Sequence, residues 1–125
     1  MIIGIGTDII AVERVGKSWE RHGHRFAERI LAPEEMVEFS QLKQSVSFLA
    51  KRFAVKEAAS KALGTGIAKG ISWHDIRVEH DELGKPLLVL NGEAQVRAKN
   101  LGARQQHVSI SDEKDHVVAF VILES

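Results

Sequence analysis

Cysteine is absent from this 125-residue chain, and so is tyrosine. The lack of cysteine excludes disulfides, thiolate metal sites and thiol nucleophiles. Aromatic residues make up only 6% of the sequence, which argues against an aromatic stacking platform for single-stranded nucleic acid. The formal net charge is zero, so attraction to a charged partner must arise from local clusters of charge.

Long hydrophobic runs are missing as well. No apolar stretch approaches the roughly 20 residues that a membrane-spanning helix needs. The first ten residues, MIIGIGTDII, lack the basic start and the small-residue cleavage site of a secretory signal. We therefore expect a cytoplasmic protein that does not associate with a membrane.

What remains is the composition of an ordinary globular domain, with 44% apolar and 27% charged residues. We find no internal repeat, low-complexity tract or linker, and the length suits one compact domain over residues 1–125. Residues 1–12 are rich in β-branched side chains and predict a buried strand that ends around Asp8.

Helical periodicity and end signals predict helices over residues 13–30, 33–42, 45–63 and 91–102. Two pairs of short apolar segments, at 75–80 with 86–90 and at 107–111 with 117–124, predict hairpins. The resulting order β-α-α-α-β-β-α-β-β predicts a single α+β domain with a mainly antiparallel sheet.

Glu57 is unusual because it projects onto an apolar arc of the helix over 45–63. With 3.6 residues per turn, that arc contains Val46, Leu49, Ala50, Phe53 and Ala54. A buried carboxylate without a partner costs several kcal/mol or becomes protonated. Lys61 follows one turn later, and a simple ion pair at this spacing contributes about 0.3–0.5 kcal/mol. This motif alone supports a structural pair and a functional site equally.

Asp8 is a second acid in apolar surroundings, next to Ile9 and Ile10. By itself it is better explained as a turn or capping residue than as a ligand. Mg²⁺, however, typically binds one or two carboxylates together with substrate phosphates and water. The residues that together favour a phosphate-and-metal site are Asp8, Glu57, Lys61, the turn Gly64-Thr65-Gly66, and the basic Arg52 and Lys56.

Other catalytic motifs are not present. The two glycines of GIGTDI have no third glycine at the dinucleotide spacing, and neither glycine cluster is followed by GK[ST]. The six histidines show no HExxH or paired zinc spacing. HVSISD contains serine, histidine and aspartate, but they share one strand and predict no catalytic triad.

Several motifs, in order along essentially the whole chain, resemble the holo-[acyl-carrier-protein] synthases. These are the short bacterial type of 4'-phosphopantetheinyl transferase. The motifs are GIGTDI near the N-terminus, FLAKRFA at 48–54, RFAVKEAASKALGTGI at 52–67, DELGKP at 81–86 and HVSISD at 107–112. One departure is Ala32, where a serine or threonine is expected as the helix N-cap before Pro33.

The resemblance implies an enzyme that transfers the phosphopantetheine arm of coenzyme A to a serine of an apo acyl carrier protein. Adenosine 3',5'-bisphosphate is released, and the reaction serves fatty acid biosynthesis. By the same resemblance Asp8 and Glu57 bind Mg²⁺, and Lys61 is catalytic next to the pyrophosphate. Either Glu57 or a water on the metal takes the serine proton, and the residues leave both open.

The resemblance also implies a homotrimer with active sites between neighbouring subunits. Pro86, His107 and Ser109 would then contact the adenine nucleotide from the other side of the interface. On the side of Asp8, we expect coenzyme A to contact Lys61 and the turn Gly64-Thr65-Gly66. Arg52 and Lys56 are further candidates for its phosphates, although either also fits an exposed solubilising charge.

A basic stripe is expected on the helix over residues 13–30. It consists of Arg14, Lys17, Arg21, Arg25 and Arg29, spaced three or four apart, with Phe26 beside it. A solvated helix face explains such a stripe in most proteins. Carrier proteins are acidic, and members of the family dock the carrier on this helix, so the resemblance implies a carrier-binding surface.

Three other functions are compatible with parts of the sequence. A different Mg²⁺-dependent nucleotide hydrolase would keep Asp8 and Glu57, and a non-catalytic nucleotide-binding or coenzyme A-binding module would not need Lys61 for turnover. A nucleic-acid binder would use the basic helix, but zero net charge and the lack of a reading motif argue against it.

Overall fold

The computed structural model describes all of residues 1–125 and confirms the α+β fold class. The elements follow the chain as β1 (Ile2–Ala11), α1 (Val12–His22), α2 (His24–Ile30), α3 (Pro33–Gln41), α4 (Val46–Ala62), a 3-10 turn (Trp73–Asp75), β2 (Ile76–His80), β3 (Pro86–Leu90), α5 (Gly92–Asn100), β4 (Gln105–Asp112) and β5 (His116–Glu124). No helix is both long enough and apolar enough to cross a membrane.

The prediction of one helix over residues 13–30 is wrong, because Gly23 divides it. Gly23 has a φ of 57°, in the left-handed region that glycine adopts without steric cost. Its N–H donates to the carbonyl of Trp19 at 2.7 Å and so closes α1. Helix α2 then begins at His24.

Both predicted hairpins are present. Strands β2 and β3 form a two-stranded antiparallel sheet, and β4 and β5 pair in a second sheet with the order β1-β5-β4. Strand β1 pairs with β5 from Ile2 to Ala11, and Asp8 lies opposite Ala119. Asp8 is therefore inside the strand, and the prediction that β1 ends there is wrong.

Helix α4 packs on the inner face of the three-stranded sheet and lies at the centre of the core. The inward residues of β5, Val117, Ala119, Val121 and Leu123, are all buried. The outer face of the same sheet is open and apolar: Ile5 is 60% exposed, Ile9 65% and Phe120 41%. Strand β1 is thus buried on one face only, whereas its continuous run of β-branched residues predicted a strand buried on both faces.

Candidate active site

Two glycines let β1 approach α4 closely. A Cβ added at Gly6 would lie 1.9 Å from the carbonyl oxygen of Ala58, and one at Gly4 would lie 2.3 Å from that of Ala62. Any side chain at either position would collide with the helix backbone. This close approach brings Asp8, two residues beyond Gly6, next to the face of α4 that carries Glu57 and Lys61.

Lys61 pairs with Asp8 and not with Glu57. Its ammonium nitrogen donates to Asp8 Oδ1 at 3.2 Å and to the backbone oxygen of Thr7 at 2.9 Å. Lys61 is about half exposed, while the Asp8 side chain is only 15% exposed. The helix ion pair that offered a structural explanation of Glu57 is therefore not formed.

Glu57 is left without an ion pair or a hydrogen bond to its carboxylate. Burial, and next the negative charge of Asp8, raise its pKa above the ordinary value of 4.5, while Lys61 acts in the opposite direction. Two carboxylates close together, one of them uncompensated, form an environment that a divalent cation would stabilise.

The donor set limits which metal this site suits. No group of three or more His, Cys, Asp or Glu side chains that would hold a metal ion is present. Two carboxylates and no nitrogen or sulfur ligand fit Mg²⁺, which takes its remaining ligands from substrate phosphates and water. Asp8 and Glu57 therefore fit the metal role only when a phosphate-bearing substrate completes the coordination.

The turn Gly64-Thr65-Gly66 follows α4, but its amides do not point to a vacant anion site. Gly64 N–H donates to the carbonyl of Lys61, and the N–H groups of Thr65 and Gly66 both donate to the carbonyl of Ser60. These bonds close the C-terminal end of α4. In the chain without a ligand the three turn amides are thus engaged within the helix end, and the contact of coenzyme A with Gly64-Thr65-Gly66 stays a prediction.

Sequences of known proteins match this chain over nearly its full length. The sequence matches the model of the 4'-phosphopantetheinyl transferase superfamily over residues 4–121. It is 59% identical to the holo-[acyl-carrier-protein] synthase of Vibrio parahaemolyticus, with 99% of this chain and 98% of that protein covered. The chain belongs to the 4'-phosphopantetheinyl transferase superfamily.

Solved structures of the family share the fold. The crystal structure of the Neisseria meningitidis holo-[acyl-carrier-protein] synthase aligns over 100% of both chains, with 46% identity and a TM-score of 0.92. The Helicobacter pylori synthase, solved in complex with coenzyme A, is 34% identical, covers 96% of this chain and 99% of its own, and has a TM-score of 0.84. The prediction that the chain is an enzyme, a phosphopantetheinyl transferase of the holo-[acyl-carrier-protein] synthase type, is confirmed.

Lys56 is not at the surface of this transferase, and its assignment to the coenzyme A phosphates is wrong. Its side chain is fully buried, and its ammonium donates to Glu35 Oε1 at 2.6 Å and to the backbone oxygen of Trp73 at 3.0 Å. Burial lowers the pKa of Lys56, while the carboxylate of Glu35 opposes that effect. Lys56 therefore has a structural role in joining α3 to α4.

Arg52 contacts Glu35 as Lys56 does, but Arg52 also lines a surface cleft. It is 3% exposed, and its Nε lies 3.3 Å from Glu35 Oε2, an ion pair whose geometry falls short of a hydrogen bond. Its Nη2 donates to Glu38 at 3.4 Å, and the guanidinium lies 4.4 Å above the Phe48 ring. Because Arg52 also lines the cleft beside Lys51, its assignment to a coenzyme A phosphate stays a prediction.

The basic stripe extends over two helices instead of one. Arg14, Lys17 and Arg21 are exposed on α1, and Arg25 and Arg29 are exposed on α2. Phe26 is half-buried and, with Arg25 and Arg29, lines a surface depression of about 370 Å³. Phe26 thus lies among the cations of α2, next to the break between the two helices at Gly23.

Pro86, His107 and Ser109 are not brought to Asp8 within one chain. Ser109 lies on β4, opposite Phe120, so it is on the outer face of the sheet while Asp8 is on the inner face. His107 lies on the same outer face and its Nε2 is 3.0 Å from Glu124 Oε1. Pro86 begins β3 in the other sheet.

Glu35 is the structural residue that sequence reasoning missed. It is 1% exposed, and its Oε1 accepts a hydrogen bond from Ala32 N–H at 3.0 Å, as a glutamate at the third helical position commonly does. This bond partly replaces the side-chain cap that Ala32 lacks. The position of Glu35 in the first turn of a helix that begins at Pro33 was the available signal, but nothing local revealed that two cations from α4 would meet it.

Proposed function

We propose that this chain transfers the 4'-phosphopantetheine group of coenzyme A to a serine hydroxyl of an apo acyl carrier protein. The products are the holo carrier protein and adenosine 3',5'-bisphosphate, the reaction depends on Mg²⁺, and it supports fatty acid biosynthesis in the cytoplasm. The observation that carries the proposal is the meeting of Asp8, Glu57 and Lys61 in a chain that aligns end to end with holo-[acyl-carrier-protein] synthases.

In the reaction, the serine oxygen forms a bond to the phosphorus that carries the pantetheine. The bond from this phosphorus to the bridging oxygen breaks, and the leaving bisphosphate takes that electron pair. Asp8 and Glu57 would hold Mg²⁺, which supplies positive charge to the pyrophosphate oxygens when bound. Lys61 places its ammonium beside the same group and stabilises the charge that develops on it.

The serine proton must pass to a base. Glu57, or a water held by the metal when it is bound, would take this proton. Lys61 would stabilise the charge on the transferred group.

The acyl carrier protein docks, in this proposal, on the basic stripe of α1 and α2. The stripe presents five cations on a protein of zero net charge, and an acidic carrier would be steered to it. We expect the association rate to fall as salt is added. An Arg14→Glu, Arg21→Glu double variant should raise the KM for carrier, and an unchanged KM would place docking elsewhere.

The active unit in this proposal is a homotrimer. The outer face of the β1-β5-β4 sheet exposes Ile5, Ile9 and Phe120, the kind of contiguous apolar surface that marks an interface. Because His107 and Ser109 lie on that same face, a neighbouring subunit would bring them next to a nucleotide held by Asp8, Glu57 and Lys61. Pro86 would reach the nucleotide from the β2-β3 sheet.

The test is an intact-mass measurement on a carrier protein. Purified chain, coenzyme A, Mg²⁺ and an apo acyl carrier protein are mixed, and the carrier should gain the mass of one phosphopantetheine arm. EDTA or Lys61→Ala should abolish the gain. No gain on any of a panel of apo carriers, with coenzyme A still bound, would reject the transfer reaction and favour a binding module.

A further inference from the structure

Helix α2 carries two cations of the basic stripe on a very short element. It spans only seven residues, His24–Ile30. Isolated helices shorter than about 12–15 residues are marginal in water, so a helix of this length needs tertiary support. Only Ala27 and Ile30 are buried, while Arg25 and Arg29 are exposed. The position of these two cations therefore depends on the contacts that hold α2 in place.

His74 supplies such a contact at the C-terminal turn of α2. Its Nε2 lies 2.6 Å from the backbone oxygen of Glu28, and because a carbonyl oxygen only accepts, Nε2 carries the proton and donates. In a continuing α-helix this oxygen would receive the N–H of Ala32, but that N–H donates to Glu35 Oε1 instead. His74 thus satisfies one of the carbonyls that the end of α2 leaves free.

The 3-10 turn that carries His74 is itself fixed to α4. The backbone oxygen of Trp73 accepts a hydrogen bond from the buried ammonium of Lys56 at 3.0 Å. The Trp73 ring also stacks on Phe53 of the same helix, with 5.1 Å between the ring centroids. Lys56 directly precedes Glu57, so a short chain of contacts joins α2 to the helix that carries a proposed metal ligand.

We propose that His74 is a positioning residue that holds α2, and with it the docking cations Arg25 and Arg29, at a fixed place relative to α4. The inference rests on the proposed function and adds how the carrier-docking surface is aligned with the active site. A carrier serine reacts only from the right distance to the transferred phosphorus, and a misplacement of about 1 Å costs up to about a hundredfold in rate. His74 would act through the backbone of Glu28 and not by contact with the carrier.

Steady-state kinetics separate this role from a general loss of stability. His74→Ala removes the donor at an exposed position, so it creates no cavity in the core. The kcat/KM for apo acyl carrier protein should fall about fivefold, the effect of losing one hydrogen bond, while the KM for coenzyme A should be unchanged. His74→Gln keeps an N–H donor at a similar reach and should restore most of the loss.

Gln95→Ala is the matched control, because Gln95 is an exposed polar residue on α5, outside both the basic stripe and the proposed site. It should leave both kinetic parameters unchanged. A normal kcat/KM for carrier in His74→Ala would overturn the proposal. Equal losses in His74→Ala and His74→Gln would also overturn it, because they would indicate a direct contact between the imidazole and the carrier.

Amide hydrogen exchange tests the contact with α2 without any turnover. The N–H of Leu31 donates to the carbonyl of Ala27 at the end of α2. Its exchange should be about fivefold faster in His74→Ala than in wild type, while amides in the middle of α4 should keep the wild-type rate. Unchanged exchange at Leu31 would overturn the role of His74. Failure of the wild-type chain to modify any carrier would instead reject the proposed function, and the docking role with it, even if exchange at Leu31 is faster.

Discussion

Glu57 and Lys61 stand four residues apart on α4, yet they do not pair. Lys61 turns to Asp8 on β1, and Glu57 keeps a desolvated carboxylate whose pKa is raised. Such an arrangement costs stability in the isolated chain, and the proposed cation and phosphate would offset that cost when they bind.

This cost predicts a pH dependence of stability without metal. The pKa of Glu57 is above 4.5 in the folded protein, so the folded state keeps this proton to a higher pH than the unfolded chain does. In EDTA, the free energy of unfolding should therefore fall as the pH rises from about 4.5 through the folded-state pKa. Glu57→Gln removes this proton site. In thermal melts in EDTA, the Tm of Glu57→Gln minus that of wild type should therefore increase between pH 4 and pH 7.

The same variant tests catalysis. Loss of the carboxylate should lower turnover at least about a hundredfold, the scale of removing one electrostatic stabiliser. Adding Mg²⁺ and coenzyme A should raise the Tm of wild type more than that of Glu57→Gln. Near-normal turnover, or a Tm difference that does not change with pH, would contradict the role given to Glu57.

Contacts between elements position these residues. Gly4 and Gly6 let β1 lie on the backbone of α4, and the buried Glu35 joins α3 to Lys56 and Arg52 on another side of the same helix. Helix α4 is thus held from two sides. Its rotation about its own axis, and with it the direction of Glu57, follows from these packing contacts.

Gly6→Ala should disrupt the contact between β1 and α4. The new methyl group would overlap the Ala58 carbonyl, and the strand would have to move away, at a cost of about 3 kcal/mol or more. Gly16→Ala is the control, since its Cβ would be 3.6 Å from the nearest atom and alanine in a helix gains about 0.5–1 kcal/mol. Urea denaturation of both variants would show opposite shifts, and a Gly6→Ala variant as stable as wild type would refute the close approach.

Glu35→Gln should destabilise the fold because it leaves the buried Lys56 without a carboxylate partner and leaves Arg52 with only the half-exposed Glu38. Removing one partner of a buried ion pair typically costs about 3–5 kcal/mol. Glu38→Gln removes the half-exposed partner of Arg52, and the expected loss is below about 1 kcal/mol. Similar losses in the two variants by chemical denaturation would contradict the special position of Glu35.

At the scale of the whole molecule, the core lies on one side of the β1-β5-β4 sheet and an apolar surface lies on the other. A monomer would leave Ile5, Ile9 and Phe120 in water, which soluble proteins usually avoid over a contiguous area. Assembly through this face would bury them. It would also bring His107 and Ser109 of one subunit towards its neighbour.

Phe120→Lys should therefore reduce assembly. A charge at the centre of the outer face would be desolvated in a trimer but solvated in a monomer, so dissociation is favoured. Light scattering should show the mass of three chains for wild type and of one chain for the variant. Val37→Lys, at an exposed position on α3, should remain assembled. A wild-type monomer would contradict the trimer and the roles of Pro86, His107 and Ser109.

The sequence by itself determined the fold class, both hairpins and α4, because periodicity and turn residues are properties of neighbouring positions. The residues expected at the site came from the resemblance of its motifs to a known family. Only the tertiary structure decided that Lys61 pairs with Asp8, that the Gly64-Thr65-Gly66 amides close α4, and that Glu35 draws Lys56 into the core. The two ion pairs join groups more than 20 residues apart in the sequence. For the turn amides, the helix carbonyls compete with any ligand for the same N–H donors. Local patterns carry no information about such contacts. Asp8 and Glu57 both offer a carboxylate to Lys61, and only the packing of β1 on α4 determines which of them forms the ion pair.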